Sequence, residues 1–163
     1  MNKGFYVGTS PFCRGTKADC ERTPGFVCDG ESKSGDGLPC LTGKKVHCTF
    51  DQNQFKNTSI YKETVEDPKV DKDFVPEFKW FGTSPYCKES YGSVAAQGYY
   101  PVKTDKSGDG APCVVGEKVL GMKPVSQMQK EEVLRLADEY RKKNEFYENI
   151  IKTAIGILSK IVV

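Results

Sequence analysis

Apolar residues in the first 123 positions come in short runs: Phe5-Tyr6-Val7, Phe26-Val27, Lys45 to Phe50 and Tyr99 to Lys103. Aromatic and β-branched side chains dominate these runs, and Gly, Pro, Asn and Asp punctuate them. That is the composition of short antiparallel strands joined by turns. Between residues 51 and 77 the pattern thins. Phe55, Ile60, Tyr61, Val65, Val70, Phe74 and Val75 stand singly among charges, and Pro68 and Pro76 break helical continuity. The stretch reads as an extended linker, with a short strand over residues 58–65.

Beyond Pro124 the period changes. Val133, Ala137, Tyr140, Tyr147, Ile151, Ala154, Leu158 and Ile161 recur at alternating spacings of four and three, with Asn144 as the one polar member. This is a heptad seam, and a single Asn at such a position selects register and oligomer. Ser126 followed by Gln129 is a capping box. The predicted helix, residues 127–160, is about 50 Å long at 1.5 Å per residue. Ile150, Ile155, Ile157 and Val162 widen the stripe, which favours a trimer or larger bundle over a two-stranded coil. Self-association through residues 126–163 leads, with Tyr140, Asn144, Tyr147, Ile151, Ala154, Leu158 and Ile161 as the contact residues. Two alternatives stay open: a hairpin around Asn144 that covers the β modules, and an amphipathic segment lying on a membrane surface.

A repeat organises the rest. Gly8-Thr9-Ser10-Pro11-Phe12-Cys13 recurs as Gly82-Thr83-Ser84-Pro85-Tyr86-Cys87. Lys33-Ser34-Gly35-Asp36-Gly37-Leu38-Pro39-Cys40 recurs as Lys106-Ser107-Gly108-Asp109-Gly110-Ala111-Pro112-Cys113, and Gly43, Lys45 and Val46 match Gly116, Lys118 and Val119. The expected architecture is therefore two tandem disulfide-rich β modules, residues 1–50 and 78–123, flanking the linker at 51–77. A C-terminal helix over 124–163 completes it.

The alignment also proposes the bridges. Cys87 and Cys113 align with Cys13 and Cys40, so each repeat should carry that pair. Cys20 and Cys48 align with Val94 and Gly121 and are missing together from the second repeat, as bonded partners would be. Cys28, aligned with Pro101, is left unpaired, either reduced or bridged to another chain. Each bridge contributes on the order of 3 kcal/mol by restricting the unfolded chain.

Composition sharpens this picture in three ways. Seven cysteines in 163 residues, with 16 glycines and nine prolines, belong to a stapled, secreted, extracellular chain rather than to a large-core domain. Mean hydropathy is −0.53. A net charge of +2 gives no basic face for nucleic acid. No apolar run reaches 18 residues, so no helix is expected to cross a bilayer. No secretory leader is read, and the expectation is a mature form carrying an added Met1. Asn57-Thr58-Ser59 is a sequon for N-glycosylation at Asn57.

Candidate chemistry is sparse. His47 is the single histidine, with no nucleophile or carboxylate at a spacing that nominates a partner, so no catalytic residue is assigned. No Cys-x-x-Cys occurs, and neither metal nor cofactor is expected. The run Asp105 to Gly110 begins like a calcium loop, but the twelfth position is Gly116, so a tight turn is the better reading. Trp80, Tyr86, Tyr99 and Tyr100 form a dense aromatic group. Most aromatics in so small a unit build its core, and those left exposed would form a binding surface.

The Gly-Thr-Ser-Pro-aromatic-Cys and Ser-Gly-Asp-Gly-x-Pro-Cys blocks resemble a cysteine-rich module of secreted invertebrate proteins. The proposed pairing order is similar to that of sushi, or complement-control, modules. The resemblance implies binding of an extracellular protein or glycan rather than catalysis. The expected function is therefore recognition, made multivalent by the helix. The alternatives are a membrane-active effector acting through the helix, and a protease inhibitor offering residues 14–23 as a rigid loop.

Overall fold

The computed structural model describes residues 4–162; Met1 and the side chain of Val162, named above, lie outside them. In chain order the elements are β1 (Phe5–Val7), α1 (Lys17–Glu21), β2 (Phe26–Ser32), β3 (Lys45–Phe50), α2 (Gln52–Phe55), α3 (Ser59–Val65), β4 (Phe78–Phe81), α4 (Tyr91–Ala96), β5 (Tyr100–Asp105), β6 (Lys118–Met122) and α5 (Gln127–Val162). They build two small three-stranded sheets, ordered β1-β3-β2 and β4-β6-β5 and antiparallel throughout. Each outer strand β2 and β5 carries a bulge, between Cys28 and Gly30 and between Pro101 and Lys103. Three disulfides join Cys13 to Cys40, Cys20 to Cys48 and Cys87 to Cys113, and Cys28 is a free, half-buried thiol.

Where the second sheet lacks a bridge, packing takes its place. Val94 on α4 is fully buried and lies over Gly121 on β6. A Cβ built on Gly121 would come within 3.0 Å of the Val94 Cγ1 atom. One branched side chain thus occupies the position opposite a residue that has none.

The segment between the sheets is not an extended linker, and residues 58–65 are not a strand. Asp51 accepts hydrogen bonds from the amides of Asn53 and Gln54, and Thr58 accepts one from Tyr61, so each opens a helix as an N-cap. Pro68 and Pro76 lie after both helices and interrupt neither. Phe55 and Ile60, apparently isolated in the sequence, are buried together with Thr64. Phe55 sits among Phe50, Tyr61, Phe74 and Phe78 with ring centroids 5.4–6.2 Å apart.

Val7, Phe26 and Val46 of the first sheet, Phe55 and Ile60 of the middle segment, and Phe78, Trp80, Leu120 and Met122 of the second belong to one buried cluster. At its centre the Trp80 indole Nε1 donates to Thr23 Oγ1 at 2.9 Å. The Arg22 guanidinium pairs with neighbouring Asp19 and, across the same boundary, with Asp105.

Both Ser-Gly-Asp-Gly segments are tight turns folded over a buried lysine. Gly35 and Gly108 adopt φ of +51° and +52°. A Cβ on Gly35 would stand 2.9 Å from Lys45 Cδ and 3.0 Å from the Tyr6 ring. One on Gly108 would stand 2.9 Å from Trp80 and 3.0 Å from Lys118 Cδ. Glycine is needed twice over, for the left-handed backbone and for the close approach. The lysine heads close the turns from beneath: Lys45 Nζ donates to Ser34 O at 3.0 Å and pairs with Asp36, and Lys118 pairs with Asp109.

Helix α5 starts as the Ser126–Gln129 box specifies. Ser126 Oγ accepts from the Gln129 amide, and Gln129 Oε1 accepts from the amides of Ser126 and Val125. The buried Gln129 Nε2 also donates to Thr64 Oγ1 at 2.8 Å, which ties the helix base to α3. Val133 and Ala137 then pack against Ala95 of α4. A Cβ on Gly92 would stand 3.0 Å from Tyr140 Cβ, so the two helices touch backbone to side chain there. Past Tyr140 the cover ends, and residues 141–161 are exposed throughout.

The indole hydrogen bond supplies a test. Thr23→Val keeps the volume and leaves a buried N–H without a partner, at a cost of about 1–3 kcal/mol. Urea unfolding should show one cooperative transition with a lowered midpoint; separate transitions for the two sheets would contradict a shared core.

Candidate functional site

The side chains singled out in the sequence part company here. Trp80 is not a surface residue: it is 6% exposed and anchors the core. The Ser107–Gly110 turn covers one ring face and Thr23 receives its N–H, so burial satisfies both its apolar body and its polar edge. Tyr99 is half-buried, edge-on to Phe81 at 5.0 Å, with Lys79 Nζ 4.9 Å from the Phe81 centroid. Tyr100 is half-buried near Ala95, Val133 and Ala137, and burial raises its hydroxyl pKa. Of the four, only Tyr86 stands free, at 63% exposure. Residues 14–23, the candidate inhibitor loop, contain helix α1, with Cys20 and Thr23 buried.

Tyr86 has a counterpart. Phe12 is 64% exposed, and each aromatic stands in a loop that a disulfide holds to a second loop. In the first unit Leu41 donates its amide to Pro11 O at 2.8 Å, Ser10 Oγ donates to Pro39 O at 2.6 Å, and Cys13 bonds Cys40. In the second unit Val114 donates to Pro85 O at 2.8 Å, Ser84 Oγ donates to Pro112 O at 2.5 Å, and Cys87 bonds Cys113. Ser10-Pro11 and Ser84-Pro85 are both cis.

Each tip presents apolar surface to water: Phe12, Leu38 and Leu41 on one, Tyr86, Val114 and Val115 on the other, all exposed. Gly43 and Gly116, at φ +70° and +75°, bring the second loop so close that a Cβ would fall 1.9 and 2.1 Å from the carbonyl oxygens of Cys13 and Cys87. Scattered exposed apolar residues are ordinary, but two clusters of three on rigid loops are candidate contact surfaces. Sequence reasoning had Tyr86 but missed Phe12, Leu38, Leu41, Val114 and Val115. The doubled Pro-aromatic-Cys motif was the available signal.

A groove of about 340 Å³ runs between the two units. Phe12 and Arg14 line one side and Ala111 and Pro112 the other, with Asp19 and Arg22 among its walls. The wall at Arg22 is electrostatically braced. Burial disfavours the charged form of Asp105, but amide donors Gly108 and Ser107, with Arg22 and Lys103, outweigh it and hold the carboxyl below its ordinary range. Lys103, half-buried, has its pKa lowered mainly by that burial. His47 Nδ1 lies 2.5 Å from Asp29 Oδ1 and its ring rests against Tyr6. No group of three or more His, Cys, Asp or Glu suited to a metal ion is found among the described residues.

The C-terminal seam divides at Tyr140. Tyr140 is half-buried against α4, whereas Asn144, Tyr147, Ile151, Ala154, Leu158 and Ile161 are exposed, as are Phe146, Ile150, Ile155 and Ile157. The alternative of a hairpin around Asn144 does not form, because α5 runs unbroken through that residue. No described helix is long and apolar enough to cross a membrane. Asn57 is exposed just before α3. No family model, curated protein or solved structure matches the chain.

The Asp105 brace generates a pH dependence. A carboxyl held below its unfolded-state value adds stability above that value, about 3.9 for Asp, and loses it as pH falls through the folded one. Asp105→Asn should therefore lower the urea midpoint at pH 7, and the gap from wild type should close below about pH 4. A gap constant down to pH 2.5 would contradict the brace.

Proposed function

We propose that the chain is a secreted, non-enzymatic recognition protein that binds an extracellular protein or glycan and is made multivalent by self-association of its C-terminal helix. The observation that carries this reading is the pair of apolar tips on disulfide-held loops. Rigid exposed aromatics bind with little ordering cost, because their conformation is already set. The matching blocks of sequence, strand order and bulge position support descent of the two units from a duplicated module, which would make each head bivalent. N-glycosylation at Asn57 fits this reading, since the carbohydrate would leave from the middle segment rather than from either tip.

Helix α5 supplies the second part. An uncovered apolar face of nine aromatic or aliphatic residues is expensive to keep in water, at about 25 cal/mol per Å². Pairing it with other copies would join several heads and raise avidity without any new ligand contact. The same face supports membrane action as a second reading, in which the helix meets lipid and the heads direct it.

Binding of the full chain to glycan arrays and to immobilised extracellular proteins tests the recognition reading. The expected result is a retained ligand whose binding falls at least 10-fold in Phe12→Ser/Tyr86→Ser, while the unfolding free energy from urea titration stays within about 0.5 kcal/mol of wild type. A retained ligand indifferent to that double variant would overturn the role of the tips. Release of dye from liposomes by the full chain, lost on truncation after Tyr140, would favour the membrane reading instead.

A further inference from the structure

The apolar strip of α5 is one continuous surface with two fates. Gln129, Val133, Ala137 and Tyr140 lie on it and are covered or partly covered by α3, α4 and β5. Tyr147, Ile151, Ala154, Leu158 and Ile161 continue the same seam and are bare. The head therefore stands on the same side of the helix as the bare strip, immediately beside its first exposed turn.

That placement restricts what can cover the strip. A parallel copy in register would bring its own residues 133–140 within the 8–10 Å of a packed helix pair, where α4 already lies. A flat bilayer laid along residues 141–161 would approach from the side of the helix on which the head stands. An antiparallel helix meets neither obstacle, because its own head falls at the far end.

Resting on the self-association reading above, we propose that the strip is covered by a second copy of this chain, paired antiparallel through residues 144–161. The heptad positions define the layers. Asn144 faces Ile161 of the partner subunit, Tyr147 faces Leu158 of the partner subunit, and Ile151 faces Ala154 of the partner subunit; each layer recurs by two-fold symmetry. Ile150 flanks this seam beside Ile157 of the partner subunit. Polar Asn144 falls in the end layers, where its amide reaches water, and the interior layers are apolar or aromatic. In this alignment Ile161 lies level with Asn144, one turn beyond Tyr140, so the paired seam stops where the head's cover begins. Antiparallel helices also set their dipoles in the favourable opposed sense. The sequence pattern alone favours a trimer or larger; the position of the head selects the pair.

Site-specific cross-linking of the full chain tests this. In a Cys28→Ser background, Tyr147→Cys and Leu158→Cys are each prepared, mixed and oxidised, alongside each variant alone. Both positions are exposed, and circular dichroism checks that the fold is kept. The expected result is a solution mass of two 18.1 kDa chains and a cross-link in the mixture only. Same-site pairs would lie 11 residues, or about 16 Å, out of register. Cross-linking of each variant to itself would overturn the antiparallel arrangement and leave self-association standing. A monomeric mass at micromolar concentration would overturn both.

Discussion

Neither sheet has enough strand to stand alone, and that shortage governs the molecule. Three strands of three to seven residues bury too little apolar surface to offset chain entropy unaided. The remedy is a common interior, pinned where Trp80 of one unit reaches Thr23 of the other. The middle segment fills the space between through Phe55 and Ile60. With the interior shared, each unit can leave its disulfide-held loops outside, and α3 and α4 can serve as the seat for α5. The exposed tips and the projecting helix both depend on that interior being complete without them.

How much of this was legible in the sequence follows from where each signal resides. The bridges were readable because the matching blocks of sequence place two copies of one constraint side by side, and the absence of counterparts to both Cys20 and Cys48 marks them as partners. The helix and its cap were readable because Ser126, Gln129 and the heptad are local. The middle segment was not. Its caps, Asp51 and Thr58, are common polar residues, and its apolar positions gain meaning only from the two sheets that close over them. Trp80 was misplaced for the same reason: composition counts aromatics but cannot say which face a turn will cover. The tips escaped notice because exposure of Leu38, Leu41, Val114 and Val115 is set by the approach of one loop to another.

The Ser-Gly-Asp-Gly motif shows how a ligand-like signature can have an internal purpose. One glycine of each copy lies against a lysine stem and an aromatic ring, its aspartate meets the lysine head, and in the first the Ser34 carbonyl completes the enclosure. A buried ammonium requires such company. The same few residues thus explain the motif, the buried Lys45 and Lys118, and the path of the chain into each tip.

A strip of sticky surface without an end is a hazard, since each added copy exposes a fresh site for the next. Heterologous contacts of that kind grow into filaments, whereas a contact that uses the same patch on both sides closes at once. Here the globular part of the chain acts as a buffer stop at one end of the apolar track. In the antiparallel pair proposed above, any copy sliding along the track would halt there, and growth would be terminated by the very domain that the helix carries.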